Sequence, residues 1–163
     1  MKVVMLAFCG FFFSLSVMAA WPIVDLPKIA GSSKDEVSEQ LGKPTSCGDS
    51  KYGEKCTFEK AKVEIVFING KADWITIEAM DNVALDSSAL TALGLKPEEF
   101  SFANENVMRW DSIPGFLEIS IFPVWVNGKR APGVDYAYIR QAHAEKPSYC
   151  APCPPKPLPY VWL

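Results

Sequence analysis

The sequence predicts an α+β fold in which a short helix packs on an antiparallel sheet. Three observations carry that expectation. A capping box and a glycine stop frame one helix over residues 33–41. Apolar–polar alternation flanks an Asn-Gly turn at positions 69 and 70. The same order of helix and strand signals then returns in the second half of the chain.

The chain opens on a leader. Met1-Lys2 precedes an apolar run over residues 3–13, and Ser14, Ser16, Ala19 and Ala20 follow. A positive start, a short apolar stretch and small residues make a secretory signal peptide. The run is too short to span a bilayer comfortably, and no charged stop-transfer cluster follows it. Val17-Met18-Ala19 satisfies the small-x-small cleavage rule, so residues 1–19 are expected to leave. Lipidation needs a cysteine directly after the cleavage site. Cys9 lies inside the apolar run, so no lipid anchor is expected. The expected location is periplasmic or secreted.

Losing the first 19 of 163 residues leaves about 144, enough for one domain or two very small ones with a real core. Lys2 leaves with them, so 15 basic residues face 19 acidic ones, a net charge of −4. A mildly acidic chain has no global attraction to nucleic acid or anionic lipid. Cys47, Cys56, Cys150 and Cys153 remain. Four cysteines in an exported chain point to two disulfides, whose connectivity the spacing leaves open.

Residues 21–27 read as extended, because Pro22 and Pro27 oppose helix. In Ser33-Lys34-Asp35-Glu36 the Ser33 hydroxyl suits the Glu36 amide, and the Glu36 carboxylate reaches back. Val37 and Leu41 then share one helical face. Gly42 and Pro44 end the helix. Thr57-Phe58 reads as a short strand. Val63, Ile65 and Phe67 alternate along another, and the return strand runs over residues 72–78. A two-residue Asn69-Gly70 turn sets Phe67 opposite Ala72 and Ile65 opposite Trp74. Val63, Ile65, Phe67, Ala72 and Trp74 are therefore expected on one buried face, under the preceding helix. Residues 86–95 read as a second helix, capped by Asp86 or Ser87 and stopped by Gly94. Strand signals follow at 107–110, 116–122 and 134–139, with a turn at Pro114-Gly115.

The halves match in outline. Leu41-Gly42-Lys43-Pro44 parallels Leu93-Gly94-Leu95-Lys96-Pro97, and Val63-Glu64-Ile65 parallels Leu117-Glu118-Ile119. This divides the chain into a leader (1–19), a first α+β unit (20–85), a second (86–145) and a tail rich in cysteine and proline (146–163).

The segment from Gly31-Ser32-Ser33 to Leu41-Gly42-Lys43-Pro44, followed by a cysteine pair and antiparallel strands, resembles a known unit. It is similar to the unit of the BamE (SmpA/OmlA) outer-membrane assembly lipoproteins and of the secreted β-lactamase inhibitory protein. The latter is two such units in tandem, each with a disulfide across the helix-to-strand connection. The resemblance implies a tandem fold and a Cys47–Cys56 bridge. This chain departs from the pattern in having no lipidated cysteine and no cysteine pair in its second unit. Fold alone implies no activity.

Catalytic groups are sparse, and no enzyme is expected. The one histidine, His143, lies in a polar stretch after the last strand signal, where a surface role suits it better than a triad. Glu98-Glu99 are adjacent, so they point apart. No glycine-rich phosphate loop is present, and the cysteine spacing is not that of a zinc site. No cofactor or metal is expected. Cys150-Ala151-Pro152-Cys153 has Cys-x-x-Cys spacing, but the prolines after it prevent the helix start that would acidify its thiol. It reads as a clip in the tail or as half of two longer bridges, and a thiol-disulfide redox role is the alternative function.

Binding chemistry is better represented. Relative to the first hairpin, the second carries an insertion over residues 123–133. It reads as a long loop holding Trp125 beside Lys129 and Arg130, and Trp and Arg dominate interface hot spots; the other reading of Trp125 is a plug folded back over the sheet edge. The tail ends in Tyr160-Val161-Trp162-Leu163 and reads as an arm docked on its own domain. The functional expectation is a non-catalytic protein-binding module: an inhibitor, an immunity-type protein or an envelope assembly accessory. Its expected partner is another envelope or secreted protein, contacted through Trp125, Lys129 and Arg130.

Overall fold

Eight antiparallel strands join into one sheet in a computed structural model, which describes residues 21–111 and 113–142. The leader, His143, Cys150, Cys153 and the C-terminal arm lie outside the described residues.

Two short helices open the fold. The first, α1 (Leu26–Ile29), falls where the sequence reads as extended. Pro27 is the reason it is tolerated: it sits in the first turn, where its missing N–H breaks no helical bond. The second, α2 (Lys34–Leu41), begins at Ser33 as expected. The Ser33 hydroxyl accepts from the Glu36 amide at 3.4 Å, and the Ser33 amide donates to the Glu36 carboxylate at 2.7 Å. Gly42 closes the helix at φ +86°.

Four strands follow as a meander: β1 (Ser46–Asp49), β2 (Glu54–Phe58), β3 (Val63–Ile68) and β4 (Lys71–Ile77). A one-turn helix, α3 (Ala89–Ala92), precedes a second meander of β5 (Phe102–Ala103), β6 (Met108–Trp110), β7 (Phe116–Val126) and β8 (Lys129–Gln141). The spatial order is β1-β2-β3-β4-β8-β7-β6-β5, so the last strands of the two meanders meet. Ile75 lies opposite Ile139 and Ile77 opposite Ala137 at that seam.

α3 is shorter than the helix read over 86–95. The Asp86 carboxylate binds the amide and hydroxyl of Ser88 and holds the preceding residues in a turn. Gly94, at φ +75°, ends the helix after one turn, with the Leu95 amide donating to the Leu90 carbonyl. The amides of Ile23 and Val24 donate to Ala92 O, and that of Leu26 to Leu93 O, tying α1 to α3.

One sheet face is the core. Ile65, Ile75, Ile139, Ile119 and Trp110 cross it from β3 to β6 and are essentially fully buried. Leu26, Ile29, Met80, Leu90 and Leu93 cover them. Contrary to the expectation, no helix among the described residues lies across the sheet. α2 buries only Val37 and Leu41, and its main neighbour is α1. Size is the reason: eight residues make a rod of about 12 Å, too short to cover eight strands. α1, α3 and the connection after β4 share the task.

Asn69 and Gly70 form the β3–β4 turn at φ +52° and +74°. Phe67 pairs with Ala72 as expected, but Ile65 pairs with Ile75 and Val66 with Trp74. The register shifts because β4 carries one extra residue there, Asp73, in a β-bulge. A one-residue slip exchanges the faces beyond it. Trp74 therefore leaves the core face on which the sequence pattern places it.

Candidate functional site

The sheet face opposite the core carries half-buried polar and aromatic side chains. β8 supplies Tyr136, Tyr138 and Arg140, which alternate with the buried Ala137 and Ile139. Their cross-strand partners extend the row: Trp74 and Glu118 flank Arg140, Thr76 and Ser120 flank Tyr138, and Phe122 lies opposite Tyr136. The Phe122 and Tyr136 rings stack at 4.4 Å and 13°. Tyr52, from the β1–β2 turn, sets its ring 4.4 Å from that of Trp74.

Electrostatics on this face are local. Glu118 accepts from the Ser120 hydroxyl at 2.6 Å, and Lys55 pairs with Glu64 at 2.7 Å. Burial raises the Tyr138 phenol above its ordinary pKa; Arg140 opposes the rise, and Glu118 and Asp73 add to it. Burial also raises Tyr136, with Asp135 reinforcing it. Both phenols stay neutral hydrogen-bonding groups at physiological pH.

Trp125, Lys129 and Arg130 come together at the tip of the β7–β8 hairpin. Trp125 pairs with Arg130 and Val126 with Lys129, across a turn made by Asn127 and Gly128 at φ +51° and +72°. The segment is a β-ribbon rather than the long loop expected. The signal was present in the sequence: Asn127-Gly128 is the same hairpin dipeptide as Asn69-Gly70. β6 pairs with β7 only over residues 119–121, and β4 with β8 only over 137–140. Residues 122–136 therefore extend past both neighbouring strands, and their ladder is with each other. Pro123 and Val134 are buried at the base, and the Val134 amide donates to Val83 O.

The tip is open. Trp125 is 45% exposed and Val126 53% exposed, and Lys129 and Arg130 are exposed beside them. Among the described residues neither cation is in an ion pair. Below the tip, Leu85, Arg130, Pro132 and Gly133 line part of a mainly apolar cleft of about 350 Å³. A second cleft, of about 370 Å³, is polar and brings Glu78, Asp81 and Asp135 near Lys62 and Tyr136.

Cys47 and Cys56 form a disulfide, as the resemblance implied. They lie directly opposite each other in β1 and β2, with Cα atoms 4.1 Å apart. Glu54 is the third member of the one cluster of possible metal ligands among the described residues. The disulfide occupies both sulfurs, and Lys34 holds Glu54 at 2.8 Å. Glu98 and Glu99 are exposed, and the Glu98 carbonyl accepts from the Trp110 indole at 2.9 Å.

The open-face row of Trp74, Tyr138 and Arg140 is absent from the sequence reading. Its β8 part had a signal, since Tyr136, Tyr138 and Arg140 alternate with Ala137 and Ile139. Trp74 had none, because its side depends on the bulge. No protein-family model, curated protein or solved structure matches this chain.

Proposed function

We propose that this chain is an exported, non-catalytic protein-binding module that contacts its partner through the tip of the β7–β8 ribbon. One observation carries the reading: the ribbon outruns its neighbouring strands and presents Trp125 and Val126, both exposed, beside two cations that no carboxylate engages among the described residues. A tryptophan brings large apolar area with few rotors, and a hydrogen-bonded ribbon limits the ordering cost of binding. Lys129 and Arg130 give an acidic protein a locally positive contact, which suits an acidic partner surface.

Export is supported by the leader pattern of residues 1–19 and by a disulfide, which belongs to oxidising compartments. The tandem reading, and with it the resemblance to the BamE and β-lactamase inhibitory protein unit, is supported by two four-stranded meanders, each preceded by a short helix. Within that reading the partner is another envelope or secreted protein.

The test begins with capture of partners from an envelope extract by the processed protein. Affinity of the purified partner is then measured for two variants. Trp125→Ala is expected to weaken binding by at least about 2 kcal/mol, the hot-spot scale, with little change in fold stability. Arg130→Ala is expected to weaken it less, and mainly at low salt. If Trp125→Ala strongly lowers stability and leaves affinity intact, the ribbon is structural and the reading fails.

A further inference from the structure

The β1–β2 hairpin joins three features that the ribbon does not use: an edge strand, a disulfide and an aromatic cover. All four residues of β1 are exposed, and β1 is the edge of the sheet. No side chain of the strand enters the core, so it is held by its ladder to β2 and by the Cys47–Cys56 bond. The bridge is asymmetric. Cys47 is exposed on the edge, whereas Cys56 is fully buried in the core. The turn beyond β1 is closed by its own bonds, from the Ser50 amide and hydroxyl to Gly53 O and from the Tyr52 amide to Ser50 Oγ. It links β1 to Gly53, so departure of β1 pulls on these few bonds, and it carries the Tyr52 ring that lies on Trp74.

We propose that the Cys47–Cys56 disulfide is a redox latch: its reduction by a dithiol releases β1 and lifts Tyr52 from Trp74, uncovering that end of the open sheet face. The reaction is ordinary thiol–disulfide exchange. A thiolate of the dithiol attacks Sγ of Cys47, the exposed residue of the pair, and the Cys56 sulfur leaves and takes a proton. The second thiol of the reductant then attacks the mixed disulfide, releasing Cys47 as a thiol and the reductant as a disulfide. Two electrons and two protons pass to the protein. Glu54, within 4.8 Å of both sulfurs, is paired with Lys34, which offsets its charge. A dithiol completes the exchange best, because its second step, resolution of the mixed disulfide, is intramolecular.

Release is local for a physical reason. A protonated Cys56 stays in the core as a small apolar side chain, so β2 keeps its place beside β3. β1 has no such anchor. Gly53 marks the hinge, because its backbone lies so close to Phe67 O that an added Cβ would sit 2.1 Å from it. The strand after the hinge is thus seated while the strand before it is free to leave.

The test uses the full chain carrying Cys150→Ser and Cys153→Ser, so that one bridge responds. It is titrated with dithiothreitol and followed by alkylation mass spectrometry, hydrogen exchange and acrylamide quenching of tryptophan. On reduction, amides over residues 46–50 should exchange faster by about tenfold or more while those of β3, β4 and β8 keep their protection. Quenching should rise, and Trp74→Phe should abolish the rise. Tyr52→Ala should raise quenching in the oxidised protein. The variant Cys47→Ser with Cys56→Ser should match the reduced state. Unchanged exchange over 46–50 after both thiols have been alkylated would overturn the latch. So would loss of protection throughout the sheet, which would make the bridge a global staple.

Discussion

Replacing two tryptophans by alanine, one at a time, separates the two faces of the sheet. Trp110 is 1% exposed on the core face, and its indole N–H donates to Glu98 O at 2.9 Å. Removing a buried ring of this size costs about 3–5 kcal/mol, and the lost hydrogen bond adds about 1 kcal/mol. Trp74 stands on the other face, opposite Val66, with Tyr52 as its ring neighbour at 4.4 Å and a tilt of 58°. A tilted ring pair contributes about 0.5–1.5 kcal/mol, and partial burial adds about 1 kcal/mol more. Trp74→Ala should therefore cost about 1.5–2.5 kcal/mol, some 3 kcal/mol less than Trp110→Ala. Urea unfolding followed by far-ultraviolet circular dichroism is the suitable assay, because neither substitution removes its reporter. Equal costs, or a Trp74→Ala cost above about 3 kcal/mol, would place Trp74 in the core and refute the register shift at Asp73.

Two further outcomes test the local structure. Gly53→Ala should destabilise by about 2–4 kcal/mol in the same urea assay, because the new Cβ meets the backbone oxygen of Phe67 and neither strand can yield alone; a change under about 0.5 kcal/mol would contradict that close approach. The Glu36 carboxyl is held below its ordinary pKa by the Ser33 amide first and the Ser33 hydroxyl second, so the capping box supports the fold above the unfolded-state pKa and is lost as pH falls through the lowered value. Glu36→Gln should accordingly lower the urea midpoint near neutral pH, and the deficit should shrink as pH falls through the lowered value; a deficit that does not change with pH would rule out the charge as the cause.

Sequence reading succeeded where a signal closes within a few residues. The Ser33–Glu36 box and the Asn69-Gly70 turn are satisfied by their own neighbours, so no distant partner alters them. Asn127-Gly128 is equally local and was legible, although the insertion around it reads as a loop until the ribbon is seen. Among the candidate site residues, Trp125, Lys129 and Arg130 stand out by type and spacing. That they meet at one exposed tip follows from the ladder between β7 and β8.

By itself, then, the sequence determined the α+β class, the start of α2, the β3–β4 turn and the residue types of the ribbon tip, because each depends on backbone geometry over one turn or one hairpin. The tertiary structure decided the rest. Trp74 lies on the open face because β4 has one residue more than its β3 partner accommodates, a count that involves both strands. The eight strands form one sheet because β4 and β8 meet across roughly sixty residues of chain, where Ile75 and Ile139 bury each other. Such choices are made between surfaces distant in sequence, by the apolar area that their meeting removes from water, and no local pattern encodes them.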